Sequence, residues 1–280
     1  MSFPQINAYT LLSTCILAAE NAAVKIREVH HNRTRGSIPH KPPTQAIAYD
    51  AMLASQTEIY SIFNDKIAGI QIITESDLPH DCFAVSYQDR VTTLIPQKFS
   101  VLLNEYLDLE YIQVFVNPLD TIASFVNDSL STVTLMIGVL YRNQPLIGLI
   151  MHPFVTPLEP IFAVKDIGEN IPSLLRVPYE QTQGLARVIV PQDYRINVPD
   201  YEIFNARGSG YKFSSLFTGY VDIVAFRKAQ LRTWDILPGF VIIEALGGKI
   251  ICDRSKHFNH MNVWDSFTGS LTCDIEDLPF

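Results

Sequence analysis

The stretch YIQVFVNPLDTIASFVND, Tyr111 to Asp128, decides how this chain is read. The run YIQVFVN has the β-branched and aromatic content of a buried strand. A carboxylate, Asp120, follows directly in NPLD, and two further acids sit at comparable places. Glu75 comes after the apolar QIIT, and Asp235 opens a helical pattern in TWD. A carboxylate at a strand end or a helix start can reach a shared crevice, and hard cations such as Mg²⁺ take oxygen ligands of this type. Taken singly, each acid has a simpler reading, as a turn residue or an N-cap.

Outward from this stretch, Ala8, Leu11, Leu12, Cys15, Ile16, Ala19, Ala22, Ala23 and Ile26 recur at helical spacing, which predicts an amphipathic first helix. The basic segment REVHHNRTRGSIPHKPP that follows reads as a mobile loop. A second helix is expected from about Ala46 to Asn64, then a short strand in GIQIITESD. TVTLMIGVLYRNQPLIGLIMHP reads as two strands joined at RNQP. Its unbroken apolar character suggests strands covered on both faces.

Beyond Pro157 come short strands in PIFAV, ARVIVP and YVDIVAF, with a glycine-rich turn opening a helix in GSGYKFSSLFTG. WDILPGFVIIEALGG reads as a helix with Pro238 in its first turn and the Gly247–Gly248 pair as its C-cap, and KIICD as the strand after it. These shifts predict two domains: 1–155, α+β, and 156–280, α/β.

The 280 residues are 48% apolar and 18% charged, enough for a full core, and the net charge of −8 argues against sequence-independent binding of nucleic acid or an anionic membrane. Cys15, Cys82, Cys252 and Cys273 form no Cys-x-x-Cys pair, so reduced thiols in the cytosol are expected. LLSTCILAAENAAV is apolar but lacks the basic flank of a signal peptide. No stretch reaches the roughly 18 apolar residues of a membrane span. A soluble, cytoplasmic protein is expected.

The motifs TESDLP, NPLDTI and WDILPGFVIIEALGG, in this order and spacing, resemble the lithium-sensitive, magnesium-dependent phosphatase superfamily. That superfamily includes inositol monophosphatases, inositol polyphosphate 1-phosphatases and 3'(2'),5'-bisphosphate nucleotidases. The likeness is nearest to the bisphosphate nucleotidases, on IITESDLP, the long hairpin, GSGYK and the late HMN. It implies a five-layer αβαβα sandwich. It also implies that Glu75, the carbonyl of Leu119, Asp120 and Asp235 match family Mg²⁺ ligands. Asp50 matches the aspartate that, with a threonine, activates water. Gly208, Gly210 and Lys212 match the turn beside the substrate, where a helix N-terminus suits phosphate.

Three departures stand against this. The first loop aspartate is Asn117, with one oxygen donor, an NH₂ that would point at a cation, and one negative charge fewer. One unit interaction at about 4 Å and an effective dielectric near 20 is worth ~4 kcal/mol, so the loss matters for two dications. Thr121–Ile122 replaces Gly-Thr, leaving Asp50 without its hydroxyl partner; general-base assistance is typically worth about 10²–10⁴-fold. Ser76 replaces the second glutamate, and VIVPQDYRI lacks the stretch that reads the nucleotide, with only Arg195 as a candidate substitute.

Two readings follow. In the preferred one the fold persists, most phosphatase activity is lost, no metal need be kept, and the protein binds a protein partner or a small phosphorylated metabolite. In the alternative it is an active Mg²⁺-dependent phosphomonoesterase acting on a 3'(2'),5'-bisphosphate nucleotide or an inositol phosphate. Homodimerisation is possible in either. Arg227, Lys228 and Arg232 read as a solvated basic edge, His152 as a packing or capping residue, and Trp234 and Trp264 as core.

Overall fold

A computed structural model describes residues 4–36, 45–75, 95, 99, 105–166, 168–170, 185–192, 201–226 and 232–246. Helix α1, Ala8–Gly36, starts where the Asn7 carboxamide oxygen accepts from the Tyr9 and Thr10 N–H groups. Its stripe of Leu11, Leu12, Cys15, Ile16, Ala19, Ala22, Ala23 and Ile26 is fully buried. Helix α2, Gln45–Lys66, packs along α1 and buries Met52, Ile59, Ile62 and Phe63. The small residues on α1 let the two backbones come close.

The helix pair lies on one face of a six-stranded sheet. Strands β1 (Gln5–Asn7) and β3 (Tyr106–Asp108) form a separate antiparallel pair. The main sheet has the order β2 (Gln71–Thr74), β4 (Ile112–Asp120), β5 (Thr134–Tyr141), β6 (Gln144–Met151), β7 (Ile161–Val164), β8 (Gly168–Asn170). Only the β2–β4 pair is parallel. All nine residues of β4 are buried. Val114 and Val116 face the α1–α2 side, and Phe115 faces the other. Both faces are covered, which is why no polar alternation marks these strands. The β5–β6 turn is Arg142–Asn143, both with positive φ (51° and 60°), as a tight hairpin turn of this kind requires.

The opposite face receives α4, Ser209–Phe217, and α5, Thr233–Ala245. Short α3, Ile122–Val126, follows β4. Helix α5 lies across β4 to β7 at glycines: Gly138 and Gly148 are paired across β5 and β6, and a Cβ at either would run into α5. Tyr211 of α4 packs on a parallel sheet of β10 (Tyr201–Ala206), β9 (Ala186–Pro191) and β11 (Ile223–Val224). Among the described residues the layers run helices, sheet, helices, sheet, an α/β sandwich with four of the five layers expected. Strands β7 and β8, beyond the boundary expected near 155, extend the N-terminal sheet.

Two local expectations are corrected. The segment after Ile26 is not a loop from Arg27 onward; α1 continues to Gly36. The Arg27 guanidinium donates to the carbonyls of Pro153 and Val155, and His30 bonds Asp128 at 3.1 Å with its ring against Phe125 and Phe154. Partners about 100 residues away hold these polar residues in helix. YVDIVAF pairs only at Ile223 and Val224, on the edge of β9. Residues 37–44, Ser76, Cys82, Arg195, Arg227, Lys228, the Gly247–Gly248 pair, KIICD, Trp264 and HMN lie outside the described residues.

Candidate functional site

The site forms where β4 ends. Pro118 has no N–H to give the ladder, and the β4–β5 register shifts between Asn117 and Asp120. The freed Pro118 carbonyl accepts from Ser55 Oγ of α2 at 2.7 Å. Leu119 buries its side chain in the α1–α2 core, so Asn117 and Asp120 turn toward α4 and α5.

Asp120 is 8% exposed and its Oδ2 accepts from three donors: Gly210 N–H at 2.7 Å, Thr134 Oγ at 3.2 Å and Ser209 Oγ at 3.4 Å. Burial raises its pKa; these hydrogen bonds and the Lys212 charge oppose that. The carboxylate thus caps the first turn of α4. Lys212, 6% exposed, places Nζ 4.7 Å from the centre of the Phe226 ring and 3.5 Å from the Ala225 carbonyl. Gly208, at φ 76°, has no room for a Cβ, which would collide with Thr121 Oγ1 and lie 3.0 Å from Asp120 Oδ2. A Cβ on Gly210 would collide with Thr134.

Asp235 sits in the first turn of α5, where its Oδ2 accepts the Arg232 N–H at 2.9 Å. Its pKa is pushed up to about 6, first by burial and then by the negative charges of Asp120 and Glu75, against the Arg232 N–H and the Asn117 amide. Asp120, Asp235 and exposed Glu75 at the end of β2 therefore share one electrostatic neighbourhood. Among the described residues no group of three or more His, Cys, Asp or Glu has the geometry to hold a metal ion.

Asn117 lies between these acids, 3% exposed. Its Nδ2 donates to Asp235 Oδ1 at 2.8 Å, and its Oδ1 is buried with no hydrogen-bond partner. The reverse amide orientation would set two oxygens against each other, so Asp235 fixes this one. The amide thus presents protons to a carboxylate that a cation would need. The donor set does not fit the pair of Mg²⁺ ions that the motif implies.

Asp50 is exposed on α2 and its carboxylate makes no hydrogen bond among the described residues, while the Ile122 side chain packs on the α1–α2 core. Thr121 occupies the left-handed region (φ 76°, ψ 64°), unfavourable for a β-branched residue, and its Oγ1 is buried without a partner. Thr121→Gly removes both costs, which together outweigh the unfolded-state entropy that glycine adds, so it should raise stability by about 1 kcal/mol, read as a higher urea midpoint. An unchanged or lower midpoint would contradict this account of the loop.

Sequence reading missed Thr134, Ser209 and the His152–Ser214 link. Ser209 lies inside GSGYK and could have been included; Thr134 merely starts a strand and carries no signal. Ser214 Oγ donates to the Gly210 carbonyl at 2.8 Å and so accepts from His152 Nε2, also at 2.8 Å. This ties the end of β6 to the turn that holds Asp120. His152 is 6% exposed, and burial lowers its pKa to about 4. A depressed histidine pKa means that its contribution is full above the unfolded value near 6.5 and is lost as pH falls toward 4. The loss should be about 3 kcal/mol by pH 4. Urea unfolding of wild type and His152→Asn at pH 7 and pH 4.5 checks this; equal drops in both would contradict it.

The chain belongs to the inositol monophosphatase family, whose sequence pattern matches residues 10–268. It is 24% identical to inositol monophosphatase 3 of Xenopus laevis over 281 residues, 93% of this chain and 75% of that protein. It is also 24% identical to human 3'(2'),5'-bisphosphate nucleotidase 1 over 277 residues, 90% of this chain and 88% of that one. Among solved structures, the fold matches inositol monophosphatase-II from Staphylococcus aureus with a TM-score of 0.58 at 14% identity, covering 85% of this chain and 80% of that one. CysQ from Bacteroides thetaiotaomicron matches with a TM-score of 0.57 at 16% identity, covering 86% and 87%.

Proposed function

We propose that this phosphatase-family protein has lost most hydrolytic activity and acts by binding a ligand or a protein partner. The observation that carries this reading is the 2.8 Å hydrogen bond from Asn117 Nδ2 to Asp235 Oδ1. It uses a carboxylate oxygen that a bound cation would need, at the position where the family motif has an aspartate. The turn from Gly208 to Lys212 supports it as well. Asp120 holds the Gly210 N–H, and Lys212 is buried against Phe226, so both face partners within the chain.

A second reading has one observation in its favour. Asp120, Asp235 and Glu75 still press on one another electrostatically, and a divalent cation would relieve that. In that case the protein is a Mg²⁺-dependent phosphomonoesterase for a bisphosphate nucleotide or an inositol phosphate. Thermal unfolding with and without millimolar Mg²⁺ separates the two. Under the preferred reading the midpoint is the same in Mg²⁺ and in EDTA; a clear rise with Mg²⁺ would favour the second. Among the described residues no helix is long and apolar enough to cross a membrane. A homodimer is compatible with either reading.

A further inference from the structure

Asn117 Oδ1 and Thr121 Oγ1 are two of the four buried side-chain polar atoms without a partner among the described residues, so unmet oxygens gather beside Asp120 and Asp235. Asn117 is 3% exposed, and its Nδ2 is fixed on Asp235 Oδ1 at 2.8 Å. The oxygen of the same planar amide therefore lies within about 5 Å of that carboxylate oxygen. Asp235 itself is only half-buried, so the crevice opens at its side. The negative charges of Asp120 and Glu75 act on the same place. A buried oxygen left unmet is costly, and a ligand that donates to it recovers that cost.

We propose that this crevice binds a primary ammonium group, with one N–H on Asn117 Oδ1 and another on the Asp235 carboxylate. An ammonium brings three donors and one positive charge, and it has no lone pair to be met in turn. A nitrogen at hydrogen-bond distance from two oxygens, with its donors at the tetrahedral angle, spans a gap of about 4.5 Å, which is the scale of the separation here. A hard dication would instead need oxygens at close range on every side, where the Asn117 Nδ2 protons already stand. The inference rests on the reading that Asn117 has displaced the Mg²⁺ chemistry, because metal and ammonium claim the same oxygens. It narrows that reading by giving the chemistry of what is bound.

Isothermal titration of the full chain in EDTA, at pH 7.5 and constant ionic strength, tests it with n-butylammonium as probe. Tetramethylammonium, which has the charge but no N–H, and K⁺ are titrated beside it. Butylammonium should bind in the millimolar range, about tenfold or more tightly than either, because only it makes charge-assisted hydrogen bonds. Asn117→Leu, of similar volume, should weaken it by about tenfold or more. Asp235→Asn keeps an oxygen for the Arg232 N–H, should show the same loss, and serves where the first variant does not fold. Nα-acetyl-lysinamide and putrescine separate the sources. Tighter binding of the first supports a lysine side chain of a protein partner, and of the second a free amine. Three outcomes overturn the proposal: no butylammonium binding in the millimolar range, tetramethylammonium or K⁺ binding as tightly, or an Asn117→Leu variant that binds as well as wild type. Such a failure leaves the reading of lost hydrolysis standing, whereas that reading falls to phosphate release by wild type in Mg²⁺, a separate measurement.

Discussion

Asn117→Asp should destabilise the metal-free protein by about 3–4 kcal/mol at pH 7.5, the usual scale for an uncompensated buried charge. Asn117 is 3% exposed and donates to Asp235, so the substitution replaces a hydrogen bond by two carboxylates at contact distance. Asp235 already sits near pKa 6 because it is buried and faces Asp120 and Glu75. A further negative charge would force one of the acids to hold a proton, and the cost of doing so at pH 7.5 appears as lost stability. Millimolar Mg²⁺ should restore much of that loss in the variant while leaving wild type unchanged, because only the variant offers cation-ready oxygens at that position. Urea unfolding of both proteins in EDTA and in Mg²⁺ measures this. A variant as stable as wild type in EDTA would mean that the Asn117–Asp235 hydrogen bond does not hold the site together.

Gly148→Ala should cost about 3 kcal/mol or more. The added Cβ would collide with the backbone carbonyl of Pro238 and lie 2.9 Å from the Val241 Cβ. A backbone atom in a helix packed across four strands cannot step aside, so either the strand or α5 must move. Its cross-strand partner gives the contrast. The three atoms nearest a Cβ at Gly138 all belong to the Leu237 side chain, with Cγ at 2.8 Å, and a leucine can shift rotamer. Gly138→Ala should therefore cost less than half as much. The two urea midpoints, measured side by side, decide; equal losses would contradict the close approach of α5 at Pro238. Asp235 stands three residues before Pro238, so movement of α5 would also disturb the acidic site.

What the sequence makes legible follows from where each interaction lies along the chain. β5 and β6 are readable because their apolar runs are long and the turn residues sit between them. α5 is readable from a sustained apolar pattern opened by Trp234 and Asp235. β10 escapes notice because YEIFNA alternates weakly and is only partly buried, so its pairing with β9 carries no local mark. The helical extension past Ile26 is likewise fixed by distant groups, the carbonyls of Pro153 and Val155 and the Asp128 carboxylate. At the site, the motifs locate Glu75, Asn117, Asp120 and Asp235 in advance. They do not indicate that Asn117 donates to Asp235 across 118 positions, or that Asp120 caps α4. Those contacts arise only when two ends of the sheet and the starts of two helices meet.

On the proposed reading, the amide of Asn117 and the missing hydroxyl at Ile122 silence an otherwise intact fold. Phosphate release from adenosine 3',5'-bisphosphate in millimolar Mg²⁺, with wild type beside the Asn117→Asp/Ile122→Thr double variant, tests it most directly. Release by wild type should stay at the protein-free background, and the double variant should turn over measurably. Turnover by wild type at an ordinary enzymatic rate, on the order of 1 s⁻¹ or faster, would contradict it.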